Sequence, residues 1–91
     1  VRELSFDQAE RRIARTLLNL AAQYGRPCPE GVRISIRFTH QDVAGIINTS
    51  RITTNKVMKR MEEEGILLKR EGRYILRALP ALERLARGEG Q

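Results

Sequence analysis

Two helix starts only eleven residues apart, at Thr39 and Ser50, constrain this chain more than any other feature. Thr39 is followed three residues later by Asp42, the spacing of a capping box, and Val43, Ala44 and Ile47 form one apolar face. Asn48 stands where that helix must stop, and asparagine tolerates the left-handed conformation better than most residues. Ser50 then caps a second helix that runs to Glu64 before Gly65, with Thr54, Val57, Met58 and Met61 at i, i+3, i+4 and i+7. Helices this short do not persist alone in water, so each must bury its apolar face against the other and against something behind them.

The rest of the chain supplies the backing. Ser5 to Tyr24 reads as a long first helix, capped through Ser5 and Gln8 or through Asp7 and Glu10, with Ala9, Ile13, Leu17, Leu20 and Tyr24 facing inward. Gly25 suits its end, and Pro27 to Gly31 reads as a turn-rich loop. Val32, Ile34, Ile36 and Phe38 alternate with Arg33, Ser35 and Arg37, the period of a half-buried strand. After Gly65, residues 66–69 and 74–77 read as two short strands around a Glu71-Gly72 hairpin turn, and Pro80 opens a short last helix with Leu82, Leu85 and Ala86 inward. The expected fold is α+β and mainly helical, a winged helix-turn-helix with a small antiparallel sheet. Its body spans residues 5–79, followed over 80–91 by a short helix and a frayed tail from Gly88.

Composition narrows the function. At 91 residues the chain holds one small core and no room for a deep substrate cavity. Its 17 Lys and Arg against 11 Asp and Glu leave a formal charge of +6, which favours polyanionic partners such as nucleic acid. No apolar run approaches a membrane span, so no membrane partner is expected and the cytoplasm is the expected location. Cys28, the single cysteine, excludes an internal disulfide and a thiolate zinc cluster. The sequence has no nucleophile–base pair at interpretable spacing, no glycine-rich phosphate loop and no metal-ligand spacing, so we expect neither an enzyme nor a cofactor in this chain.

The charge is concentrated where a groove-binding helix needs it. From Arg51 to Arg60 there are four positive side chains and no acidic one. The helix start adds its partial positive charge and unsatisfied N–H groups, which suit phosphate oxygens. Arg51, at the first helical position, is the candidate for base readout, since arginine can bond guanine O6 and N7 together. Ile52, a large β-branched side chain on a polar face, suits either a thymine methyl or packing against the hairpin. Lys56 faces either a base or a neighbouring phosphate, and Asn55 joins it as a candidate base contact. Candidate phosphate contacts are Thr39, His40, Gln41, Ser50, Thr53, Lys59, Arg70 and Arg73. For Thr53 a local helix-start hydrogen bond competes with that role, and Glu71 weakens the field between Arg70 and Arg73. The run Glu62-Glu63-Glu64 lies at a helix end with no expected His or Cys partner and reads as solvated surface.

Four segments also resemble a known family when taken together and in order: residues 12–21 (RIARTLLNLA), 38–45 (FTHQDVAG), 49–51 (TSR) and 61–67 (MEEEGIL). They resemble the C-terminal DNA-binding domain of the Crp/Fnr family of bacterial transcription regulators over roughly residues 8–77. The resemblance implies a recognition helix from Ser50 to Glu64, a homodimeric parent protein with a separate sensor domain, and residues 1–4 as the remnant of a hinge after a dimerisation helix. It also implies duplex DNA with a near-palindromic site as partner, RNA polymerase as a possible second one, and a monomer for this chain alone. Activation and repression are both open. Many members read bases with an Arg-Glu pair and an Arg four residues after the Glu. Here those positions are Arg51, Ile52 and Lys56, so the base preference opposite Ile52 should differ, and a β-branched residue there resembles the nitrogen-control branch. Two other classes compete. A winged-helix docking module without DNA contact should carry an exposed apolar patch, and an RNA-binding domain should expose aromatics for stacking.

Overall fold

The chain folds, in a computed structural model that describes residues 4–88, as eight elements in the order α1 (Phe6–Tyr24), β1 (Gly25–Cys28), β2 (Gly31–Ile34), α2 (His40–Ile47), α3 (Arg51–Glu63), β3 (Leu67–Arg70), β4 (Arg73–Leu76) and α4 (Leu79–Ala86). Ser5 caps α1 by accepting from the Gln8 N–H, while the Gln8 side chain accepts from the Ser5 N–H, so of the two possible capping boxes the earlier one forms. Ala9, Ile13, Ala14 and Leu17 make a buried stripe along α1. Tyr24, expected inward, is 40% exposed. It ends the helix where the chain turns into β1, beyond the reach of the core.

The strands form one antiparallel sheet in the order β1-β2-β4-β3. Residues 25–28 were expected to end a helix and enter a loop, and instead form an edge strand that pairs Gly25 with Ile34 and Cys28 with Gly31. Pro27 is tolerated because an edge strand has one side without ladder bonds. The alternating run 32–38 is not one strand. β2 ends at Ile34, Ile36 is exposed, and the chain bends through Ser35 and Ile36 so that Phe38 reaches the core and Thr39 can cap α2. Gly31 allows β2 to meet β4: its φ is +149°, and a Cβ there would stand 2.2 Å from the Leu76 carbonyl oxygen.

Strands β3 and β4 sit within one residue of their expected bounds. Their register closes on Arg70 opposite Arg73, and the two-residue turn has φ +55° at Glu71 and +79° at Gly72, as a type I′ hairpin requires.

Helices α2 and α3 follow the local signals closely. Thr39 and Asp42 form the expected reciprocal cap, Asn48 adopts φ 60° and ψ 52°, and Ser50 accepts from the Thr53 N–H at 3.1 Å. The inward residues of α3 are Thr54, Val57, Met58 and Met61, all fully buried. The Thr54 hydroxyl is satisfied by donating to the Ser50 carbonyl at 3.0 Å. Phe38 and Tyr74 join the core with ring centroids 5.0 Å apart. The last helix is no appendage beyond residue 79, since Leu82 and Ala86 are buried in the same core and Arg15 Nε donates to the Ala86 carbonyl at 3.0 Å. Leu4 also packs against this core; residues 1–3 of the expected hinge and 89–91 of the expected tail lie outside the described residues.

Candidate nucleic-acid interface

No pocket indents the described surface, so any functional site here is a raised face rather than a cavity. The best-formed face belongs to α3. At about 100° per residue, Arg51, Ile52, Asn55, Lys56 and Lys59 share an arc of about 140°, opposite the buried face of the same helix. All five are exposed, Ile52 to 65%. The first turn of α3 contains no acidic residue, so nothing on the helix cancels its N-terminal partial charge. Thirteen residues make α3 about 20 Å long, enough to cross a major groove.

Not every positive side chain near this face is available. Arg60 lies over the Phe6 ring at 5.4 Å and its Nε donates to Glu64 at 3.1 Å, a bond that raises its already high pKa. The hydroxyls of Thr39, Ser50 and Thr53 serve first as helix-start groups: Thr39 and Ser50 accept from backbone N–H groups, and the Ser50 hydroxyl donates to that of Thr53 at 3.1 Å. Gln41 is exposed on the first turn of α2, beside these caps.

The hairpin of β3 and β4 is partly neutralised. Arg70 forms an ion pair with Glu30, whose carboxyl is held below the ordinary carboxylate range chiefly by that hydrogen bond. At neutral pH the pair is therefore intact. Arg73 is half-buried and its Nε donates to the Ser35 carbonyl at 2.8 Å, tying the hairpin to the bend after β2. Arg37, which alternation placed outward without a role, lies beside the hairpin turn, where a Cβ on Gly72 would come within 3.4 Å of its Nε. His40 and Asn55, expected to face phosphate and base separately, are joined by a 2.8 Å hydrogen bond. Glu62, read as solvated, has a carboxylate oxygen 3.7 Å from His40 Nε2.

Among the described residues no group of His, Cys, Asp and Glu side chains could hold a metal ion, and no helix is long and apolar enough to cross a membrane.

A capped helix pair with a tight left-handed turn, a basic outward face on the second helix and a hairpin beside it defines a winged helix-turn-helix DNA-binding domain. Comparison with known proteins agrees. The profile of the Crp-like helix-turn-helix domain matches residues 11–85, and the chain belongs to that family of DNA-binding domains of transcription regulators. It is 37% identical over 68 residues to the cAMP-activated global transcriptional regulator CRP of Salmonella typhimurium, covering 74% of this chain and 31% of that protein. Over 85 residues it is 32% identical to the cyclic AMP receptor protein of Thermus thermophilus, covering 93% and 36% of the two chains. The chain thus spans about a third of the length of these relatives. The CO-dependent transcription factor CooA from Carboxydothermus hydrogenoformans shares the fold, with a TM-score of 0.82 at 23% identity, covering 89% of this chain and 38% of that one. These are regulators, not enzymes.

Proposed function

We propose that α3 enters the major groove of duplex DNA and reads sequence there. The observation that carries this reading is the outward arc of Arg51, Ile52, Asn55, Lys56 and Lys59 on a helix whose first turn has no acid. Arg51 contacts a guanine edge, Ile52 a thymine methyl, and Lys56 a base or the adjacent phosphate. Lys59, Gln41, His40 and the helix-start groups of Thr39, Ser50 and Thr53 position the backbone, with Arg73 at the hairpin, while Arg70 is held by Glu30. In the parent protein two such domains act as a homodimer on a near-palindromic site, with half-sites about one helical turn apart. RNA polymerase is then a natural second partner, and the bacterial cytoplasm the place of action. This chain needs no cofactor for the task; effector sensing belongs elsewhere in the parent.

A docking role without DNA draws on one observation: Ile46 and Ile52 are 61% and 65% exposed. Fluorescence anisotropy with a randomised duplex, titrated at several salt concentrations, separates the two. We expect binding that weakens steeply with salt. Absence of binding even at low salt would refute the DNA reading, because non-specific contact needs only one basic face, and would favour docking.

A further inference from the structure

The His40 imidazole is clamped from three sides. Its Nδ1 is 2.8 Å from Asn55 Oδ1, its Nε2 is 3.7 Å from a Glu62 carboxylate oxygen, and its ring stacks on Tyr74 with centroids 6.2 Å apart and planes 28° from parallel. Tyr74 is itself buried against Phe38. His40 therefore has little freedom to turn. An amide oxygen carries only lone pairs, so with Oδ1 facing the ring Nδ1 is the donor in the bond to Asn55. The consequence falls on Asn55. Its oxygen is held on His40, and its NH₂ group is left for the exposed arc of α3, where Asn55 stands four residues from both Arg51 and Lys59.

We infer that His40 is a positioning residue for sequence readout: it fixes the Asn55 amide as a hydrogen-bond donor, so that Asn55 selects an acceptor on the major-groove edge, a purine N7, guanine O6 or thymine O4. This rests on the placement of α3 in the major groove proposed above. An unrestrained asparagine has wider choices, because it can turn its oxygen to the amino group of adenine or cytosine. His40 removes those choices by occupying the oxygen. A histidine acting only as a strap between α2 and α3 would stabilise the fold and leave base preference untouched.

The test is selection of preferred duplexes from a randomised pool by four proteins: wild type, His40→Ala, His40→Gln and Asn55→Asp. Wild type is expected to prefer an acceptor-bearing base at the position Asn55 reads. In His40→Ala that preference falls by about fivefold or more at that one position, with cytosine, which offers only its amino group there, gaining. His40→Gln, whose amide N–H can again donate to the Asn55 oxygen, recovers it. Asn55→Asp keeps the bond to His40 but has no donor left, and its preference moves to cytosine at the same position. An unchanged preference in His40→Ala overturns the inference, including the case where only thermal stability drops. So does an Asn55→Asp protein that selects the wild-type site. If wild type binds no duplex, or binds with no base preference, the fault lies with the major-groove reading itself.

Discussion

Replacing Glu30 with glutamine should strengthen DNA binding, although residue 30 lies in the turn between β1 and β2 and carries no expected contact to DNA. Its carboxylate neutralises Arg70 at the hairpin, and the Arg70 hydrogen bond that lowers the Glu30 pKa keeps it ionised at neutral pH. The Arg70 side chain is 53% exposed, so once released it can swing towards a phosphate. One added phosphate contact steepens the slope of log K against log salt by about 0.9, so the gain should shrink by about 3.5-fold between roughly 50 and 200 mM salt. Stability should barely change, since the pair is at the surface. Fluorescence anisotropy at four or five salt concentrations measures the slope directly. A second cycle isolates the cause: Arg70→Ala should alter the slope little in wild type and by about 0.9 in the Glu30→Gln background. Equal slopes for wild type and Glu30→Gln would refute the reasoning and place Arg70 away from the phosphate backbone.

Arg51→Ala should cost about 1–3 kcal/mol of specific binding and relax selectivity at a single base pair, and an unchanged set of selected sites would remove Arg51 from base readout. Ile52→Glu replaces an apolar surface with an acceptor, so the preferred base at the adjacent pair should shift towards cytosine in the same selection experiment. Leu82→Ala should lower unfolding free energy by about 2–5 kcal/mol in urea titration, because Leu82 is fully buried between α4 and α1. A negligible loss would mean that α4 is not part of the core. Burial first, and the nearby Glu62 charge second, push the Tyr74 pKa from its ordinary value of 10.0 to about 12. Folded protein thus holds this proton where the unfolded chain has released it, and stability should fall by about 1–3 kcal/mol as pH rises from about 10 to about 12. Tyr74→Phe, followed by denaturation at both pH values, should lack that decline.

The helix ends were legible because their signals are local. Thr39 with Asp42, Ser50 ahead of Thr53 and Asn48 between them each act within three or four residues, and each does in the structure what its chemistry requires. Burial along α3 was equally legible from spacing alone. Strand β1 was hidden because its evidence is its partner: Gly25, Arg26 and Pro27 have poor strand propensity, and only pairing with β2 makes them a strand. The alternation of residues 32–38 records which side chains point inward at Ile34 and Phe38, but it does not record the bend between them. The site divides in the same way. The exposed arc of α3 follows from helical period, whereas the pairing of Arg70 with Glu30 joins residues forty positions apart, and the bond from His40 to Asn55 joins two helices. Charge counting along the chain scored Arg70 as available and Glu62 as idle. Folding pairs Arg70 with Glu30 and brings Glu62 to His40.

The packing of α4 along α1 has a topological consequence. Arg15 reaches the Ala86 carbonyl, and Arg11 lies beside Gly88, where a Cβ would stand 3.1 Å from its guanidinium. Phe6, where α1 begins two residues after Leu4, is only about 7.5 Å along the helix from Arg11. Both ends of the described segment therefore lie toward the N-terminal half of α1, and a flexible bridge of about six residues is expected to join them. A circular permutant closed in that way and opened in the turn at Pro29 would keep every core contact and leave α2 and α3 continuous, with its new termini at the far side of the β1–β2 hairpin.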